Sequence, residues 1–287
     1  MCRQGSRRGT TTRDASTVVR PVERTWKGTG MSHDWSEVER AVAGAERFGT
    51  VGAWLVAPDH RRFKAASVVK IPLMIEVYRR VERGELRLDE RHVLAARDKA
   101  AGSGVLLHLH PGLTLTIEDL VYLTMSISDN SATNILIRRV GMDRVNATMQ
   151  GLGMTESTLG REMKGRVAEP GEAENWATPG DYVRAVRAIL DGEAAGPAGC
   201  AAMVAMLERQ QNPRRIGRYV PEAEGVRWGS KTGGLKGVTN AVFCEGMPDL
   251  HVGEQCIGEI ARAAMRATEV VASREPLSGG PAARGRR

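Results

Sequence analysis

Residues 65–86 read AASVVKIPLMIEVYRRVERGEL, and the rest of the chain is parsed outward from this stretch. From Ser67 onward its apolar residues recur at helical spacing: Val69, Leu73, Val77 and Val81 line one face, with Met74 and Tyr78 beside them. Pro72 falls in the first turns, where a missing N–H costs little, and the Gly84 region ends the helix. Ser67 and Lys70 stand at i and i+3 at the helix start, so the amine can reach the hydroxyl. A serine hydroxyl is a poor nucleophile until a base takes its proton. Lysine serves as that base when burial or a neighbouring cation lowers its pKa. The helix N-terminus also offers the Ser67 N–H to a developing oxyanion.

Upstream, residues 34–47 place Trp35, Val38, Ala41, Val42 and Ala45 at helical spacing, and residues 50–57 (TVGAWLVA) read as a buried strand. After the turn Pro58-Asp59-His60 a short strand is expected before Ala65. Downstream, helices are expected over 116–127 with Thr116 as N-cap, over 131–140 ended by Gly141, and from a cap at Asp143 through Gln150. Two more are expected over 179–191 and 198–209. Residues 153–177 lack periodicity and read as a long loop, which inside a compact domain is usually functional, with Trp176 as a packing anchor beside it. Residues 224–233 and 237–245 read as two strands joined by a Gly-rich turn, Leu250–Val252 as a short strand, and 254–270 as an amphipathic helix. This order predicts an α/β fold. An antiparallel sheet layer from both chain ends (31–66 and 218–270) is flanked by terminal helices, and an all-helical domain over 67–217 is inserted between them. Residues 1–30 and 271–287 are expected to be disordered tails.

The composition narrows the classes of function. With 287 residues, 41% of them hydrophobic and 26% charged, disorder throughout is excluded. No run of about 18 apolar residues exists, so no membrane span is expected. Aromatics are only 4%, so the core rests on Ala, Val, Leu, Ile and Met, with Met74, Met125, Met203 and Met206 as filler. The net charge of +7 sits in the tails, which carry +5 and +3 and leave the segment between them at −1. A basic nucleic-acid face on the domain is therefore not supported, although Arg-rich tails leave a salt-dependent nucleic-acid association as a separate class to test. Four cysteines without C-x-x-C spacing suit free thiols in a reducing compartment, with a Cys244–Cys256 bridge left open. His108 and His110 stand two apart without a third ligand, so no metal site is read. Arg7-Arg8 is not followed by an apolar segment, so the chain as written reads as cytoplasmic and monomeric. Met31 opens the first helical pattern, which makes residues 1–30 readable as an upstream extension. A different start site would make the protein secreted or periplasmic.

Two further motifs complete a set. Ser128-Asp129-Asn130 lies between two helices: Ser128 can relay a proton to a leaving nitrogen, Asn130 can hold a substrate amide, and Asp129 ties down the loop. Lys231-Thr232-Gly233-Gly234 lies at a strand end: Lys231 supplies positive charge, Thr232 a hydroxyl for a substrate carboxylate, and Gly234 N–H a second oxyanion donor. Ser103, between Gly102 and Gly104, reads as a turn residue near the mouth of the site. S-x-x-K, S-D-N and K-T-G in this order form a known signature of class A β-lactamases and penicillin-binding proteins.

Residues 65–86, the segment GSGVLLHLHPGLTLTIEDLVYLTMSISDNSATNILIRRVG (102–141) and SKTGGLKGV (230–238) together resemble a class A β-lactamase-type serine hydrolase, over residues 33–270. The resemblance implies a two-part fold and an acyl-enzyme route on a small-molecule acyl substrate, a β-lactam or a peptidoglycan-like amide. Ser67 attacks the carbonyl, Ser128 protonates the ring nitrogen, and water releases the acid. No metal or organic cofactor is implied.

The sequence departs from that family in two places. The family's long loop carries E-x-x-L-N, whose glutamate activates the deacylating water, whereas this loop reads GREMKGRVAEPGEAENWATPGD (160–181). Spacing back from Thr178-Pro179 lands on Glu162, whose fourth neighbour is Arg166 instead of asparagine, and Glu169 is the rival. Without a base the enzyme would acylate and stall, as a penicillin-binding protein does. A D,D-peptidase or esterase, or a binding protein without turnover, are the other readings. The second departure is brevity: residues 58–66 leave little room for a second strand, and the last strand is also cut short, so a thin, less stable sheet layer is expected.

Overall fold

The computed structural model describes residues 36–48, 50–52, 61–219, 228–236, 238–240, 243–245 and 247–272. In chain order it contains α1 (Ser36–Glu46), β1 (Thr50–Gly52), β2 (Phe63–Lys64) and a 3-10 turn (Ala66–Val69) leading into α2 (Lys70–Glu82). Then come β3 (Arg91–Val93), β4 (Thr114–Thr116), α3 (Ile117–Ser126), α4 (Asn130–Val140) and α5 (Met142–Gly151). β5 (Trp176–Ala177), α6 (Pro179–Leu190) and α7 (Pro197–Glu208) follow, then β6 (Gly233–Leu235), β7 (Val238–Asn240), β8 (Phe243–Glu245) and α8 (Leu250–Ala272).

The sheet is antiparallel, in the order β1-β8-β7-β6, so β1 from the first part of the chain joins at one edge, beside β8 from the last part. The terminal helices α1 and α8 pack together over a small apolar cluster that includes Ala45, Met247, Ile257 and Ile260, and Arg266 pairs with Glu37 across them. The larger core surrounds α2, whose residues Lys70 to Tyr78 are all buried, with α3, α4, α5 and α7 packed on it. Met74, Met125, Met203 and Met206 are all in this core, as expected of an aromatic-poor chain.

Caps place the helices. Thr116 Oγ accepts from Asp119 N–H at 3.0 Å while Asp119 accepts from Thr116 N–H at 2.8 Å, a reciprocal capping box on α3. Thr178 caps α6 ahead of Pro179, and Gly141 ends α4 at φ 86°.

Several sequence expectations are corrected. Residues 237–245 are not one strand: β7 and β8 are separate strands that pair antiparallel, with Asn240 opposite Phe243. β6 covers only Gly233–Leu235, so residues 228–232 are not strand as expected, and residues 224–227 lie outside the described residues. Leu250–Val252 form the first turn of α8 rather than a strand. Asp143 lies within the first turn of α5, whose N-cap position is Gly141. The 67–217 segment is the helix-rich insertion expected, and within it β3 and β4 pair as a ribbon while the long loop ends in β5, which pairs with β2. Three-residue strands carry too little alternation to be seen in sequence. The expected strand over 50–57 is described only as β1, and residues 53–57, Trp35 and both tails lie outside the described residues. Cys200 and Cys256 are buried free thiols, so the Cys244–Cys256 bridge is not formed.

Candidate active site

Ser67 sits in the 3-10 turn that starts α2, next to Ala66 at φ 46°. A left-handed non-glycine residue costs on the order of 1 kcal/mol and persists only where its surroundings enforce it. Here the enforcement is visible. Asn240, fully buried on β7, donates through Nδ2 to the carbonyls of Lys64 and Ala65, at 2.9 Å each. Ala65 N–H donates to Asn175 O at 2.7 Å. The turn is thereby hooked to the sheet on one side and to the long loop on the other. The Ser67 hydroxyl makes no hydrogen bond among the described residues, and it faces open cleft.

Ser128 is the second left-handed residue, at φ 61°. Its loop is held by Asp129, which accepts from the N–H groups of Val105, Leu106 and Ala132, the last as N-cap of α4. Asp129 thus has the loop-tying role expected of it. Lys70, fully buried, donates to Ser128 O at 2.8 Å, Ser128 Oγ at 3.0 Å and Asn130 Oδ1 at 2.9 Å. Burial strips its ammonium of water and lowers its pKa to about 7, with Asp129 opposing the shift. Asn130 donates its own Nδ2 to Ala101 O at 2.8 Å, so its acceptor and one of its two amide hydrogens are already engaged. Ser103 lines the cleft and donates to Ser128 O at 2.6 Å.

The third element comes from far along the chain. Lys231, just before β6, donates to Ser128 Oγ at 3.0 Å and to Thr232 O at 2.7 Å. Burial first, then the nearby charges of Lys70 and Arg215, drive its pKa well below the usual lysine range. Gly233 lies so close to the turn that an added Cβ would stand 3.0 Å from Ser67 N. Gly234 instead faces the cleft, where its added Cβ would meet only Arg215 Nη2 at 3.3 Å and Leu250 at 3.9 Å. Arg215 donates to the carbonyls of Gly233 and Asn240 at 2.5 Å each and so locks β6 to β7.

The structure brings Ser67, Lys70, Ser128, Asn130, Lys231, Thr232 and Gly234 together, and it leaves Glu162 out. Glu162 turns outward to Arg138 (2.9 Å), which also holds Asp98. Glu169 is exposed and paired with Arg166. Beside Glu162, Met163 lines the cleft, because buried Asn134 clamps its backbone: Asn134 Oδ1 accepts from Met163 N–H at 2.8 Å and Nδ2 donates to Met163 O at 2.9 Å. The loop is closed below by buried Arg161–Glu174 (3.1 Å) and by Asn175, which accepts from Gly160 and Arg161 N–H. Gly165, at φ 69°, packs backbone to backbone on Gly102: its added Cβ would stand 2.8 Å from Gly102 Cα.

Two cavities meet at Ser67, one of about 100 Å³ under the long loop and one of about 360 Å³ beside Ser128 and Thr232. Among the described residues, neither is lined by an Asp or Glu. Sequence reasoning missed Asn240, Arg215 and Met163. The only advance signal was the length of the loop holding Met163.

A family model described as the β-lactamase enzyme family matches residues 49–266. The chain belongs to this family. The crystal structure of a β-lactamase from Sphaerobacter thermophilus is 60% identical, covers 83% of this chain and 98% of that one, and superposes with a TM-score of 0.81. β-Lactamase OXY-2 of Klebsiella oxytoca is 29% identical over 186 residues, and the match spans 63% of each chain. The structure of PBP-A shares the fold at 20% identity, with a TM-score of 0.70 over 82% of this chain and 96% of that one.

Proposed function

We propose that this β-lactamase-family protein is a serine acyl hydrolase that opens a β-lactam or related amide through an acyl-enzyme on Ser67. The observation that carries the reading is the convergence of two buried lysines on Ser128 Oγ, beside a serine hydroxyl that faces the cleft. In the proposed reaction neutral Lys70 takes the Ser67 proton as Oγ adds to the carbonyl carbon. Ser67 N–H and Gly234 N–H stabilise the oxyanion. The C–N bond breaks as Ser128 Oγ–H protonates the nitrogen, and the Lys70 ammonium restores the Ser128 proton at 3.0 Å. Lys231 and Thr232 hold the substrate carboxylate. Addition of water to the acyl carbonyl then releases the acid and returns a proton to Ser67.

One observation favours a second outcome for the last step. Deacylation needs a base for water, and the described cleft offers Met163 instead of a carboxylate. Slow turnover, with a long-lived acyl-enzyme, fits that lining. Intact-protein mass after mixing with benzylpenicillin, followed over time with Ser67→Ala as control, tests both. A transient adduct with hydrolysed product means a working β-lactamase. A lasting adduct at Ser67 means an acyl trap. Neither adduct nor product overturns the reading for penicillins.

A further inference from the structure

The two cavities flanking Ser67 are sorted by charge. Under the long loop, Lys164, Arg166 and Arg161 line the space, while Glu172 and Glu174, which pair with them, lie outside the lining. On the other side Arg215 lines the cavity and its partner Glu254 lies behind it. Cations face the cleft on both flanks of the nucleophile, and the carboxylates stand one layer back. Among the described residues Lys164 has a single hydrogen bond, to Glu172, which leaves two of its three N–H groups for a ligand.

The polarity of the reaction says what each flank receives. Ser128, the proposed donor to the leaving nitrogen, lines the cavity on the Arg215 side. The leaving group therefore occupies that side, and the substituent on the acyl carbonyl points under the loop, toward Lys164 and Arg166. We infer that the acyl donor carries a second anionic group, a carboxylate on its acyl side, read by Lys164 and Arg166. The inference rests on the acyl-enzyme reading and adds the substrate class: a donor negatively charged on both sides of the scissile bond. Part of the attraction is offset by Glu172 and by Glu169, which also pairs with Arg166, and the side chains are partly exposed, so the preference is modest and salt-sensitive.

The test uses the full chain with Ser67→Ala, so that binding is read without acyl transfer. Calorimetry compares α-carboxybenzylpenicillin, a dianion, with benzylpenicillin, a monoanion of nearly the same shape, at low and high sodium chloride. The dianion is expected to bind about tenfold more tightly at low salt, with the advantage falling to about twofold at high salt. Lys164→Ala with Arg166→Ala removes the advantage and leaves monoanion binding within about twofold. Should the double variant unfold, the single change Lys164→Gln, at an exposed side chain, is expected to lower the ratio about threefold. Equal affinities at low salt, or a preference that survives these substitutions, overturn the inference. If wild-type protein still forms the benzylpenicillin adduct, the proposed function stands without it; if neither probe binds and no adduct forms, both fall.

Discussion

Lys70 and Lys231 donate to the same acceptor: each ammonium nitrogen lies 3.0 Å from Ser128 Oγ. Two buried cations around one hydroxyl cannot both keep their protons cheaply. For Lys70 burial is the cause: it strips the ammonium of water, and the neutral form becomes accessible near pH 7. That makes the lysine usable as a base despite the opposing charge of Asp129.

Acylation should follow the deprotonation of Lys70. The rate of adduct formation is expected to rise from pH 5 to pH 8 with a midpoint near the lysine's pKa of about 7. Lys70→Arg, which cannot deprotonate, should lose about 10²- to 10⁴-fold at every pH. A pH-independent wild-type rate would exclude Lys70 as the base. The same shift acts on folding. The unfolded lysine keeps its proton up to its ordinary pKa of 10.5, whereas the folded one releases it near 7. Between those values the unfolded state binds more protons, so the Lys70 contribution makes stability climb with pH. Lys70→Met should flatten that slope in denaturation measured from pH 7 to 10.

The two glycines after Lys231-Thr232 should differ sharply. Gly233→Ala drives a Cβ to 3.0 Å from Ser67 N, against backbone that Asn240 and Asn175 hold in place. Adduct formation should fall by more than about tenfold, since an oxyanion donor is displaced. Gly234→Ala meets only side-chain atoms, Arg215 Nη2 at 3.3 Å and Leu250 at 3.9 Å, and should change the rate by less than about threefold. Equal effects at both positions would contradict the close approach of β6 to the Ser67 turn.

The long loop predicts its own pair of outcomes. Glu162→Gln breaks a partly exposed ion pair with Arg138 and should change stability by no more than about 1 kcal/mol, with the acyl-enzyme lifetime unchanged. Met163→Glu places a carboxylate at the cleft and should shorten that lifetime by about tenfold or more. A lengthened lifetime in the Glu162→Gln protein would restore Glu162 as the deacylating base.

Stability should be uneven along the chain. The sheet layer has three-residue strands and a small apolar cluster under α1 and α8, whereas α2 is buried from Lys70 to Tyr78. Amide hydrogen exchange should open α1 and α8 at about tenfold or more lower protection than α2. Uniform protection across both regions would remove the case for a weak sheet layer.

Much of the site was legible because its chemistry is local. Ser67 and Lys70 share a helix face by spacing alone, Thr116 and Asp119 form a cap within one turn, and Asp129 follows Ser128 directly. Those patterns need only short-range geometry, and the helices around them were set by apolar periodicity. The reading failed where no period operates. The strands are too short to alternate visibly, which hid the β7–β8, β2–β5 and β3–β4 pairs. In the long loop, side-chain direction is set by distant partners: Asn134 on α4 clamps Met163, and Arg138 draws Glu162 outward. Counting along the sequence reached the neighbouring residue but not the face it presents. The sequence by itself determined which groups could do acyl chemistry. Only tertiary packing decided that two lysines from opposite parts of the chain meet at one hydroxyl, and that methionine rather than glutamate faces the cleft, because long-range hydrogen bonds orient what local spacing leaves free.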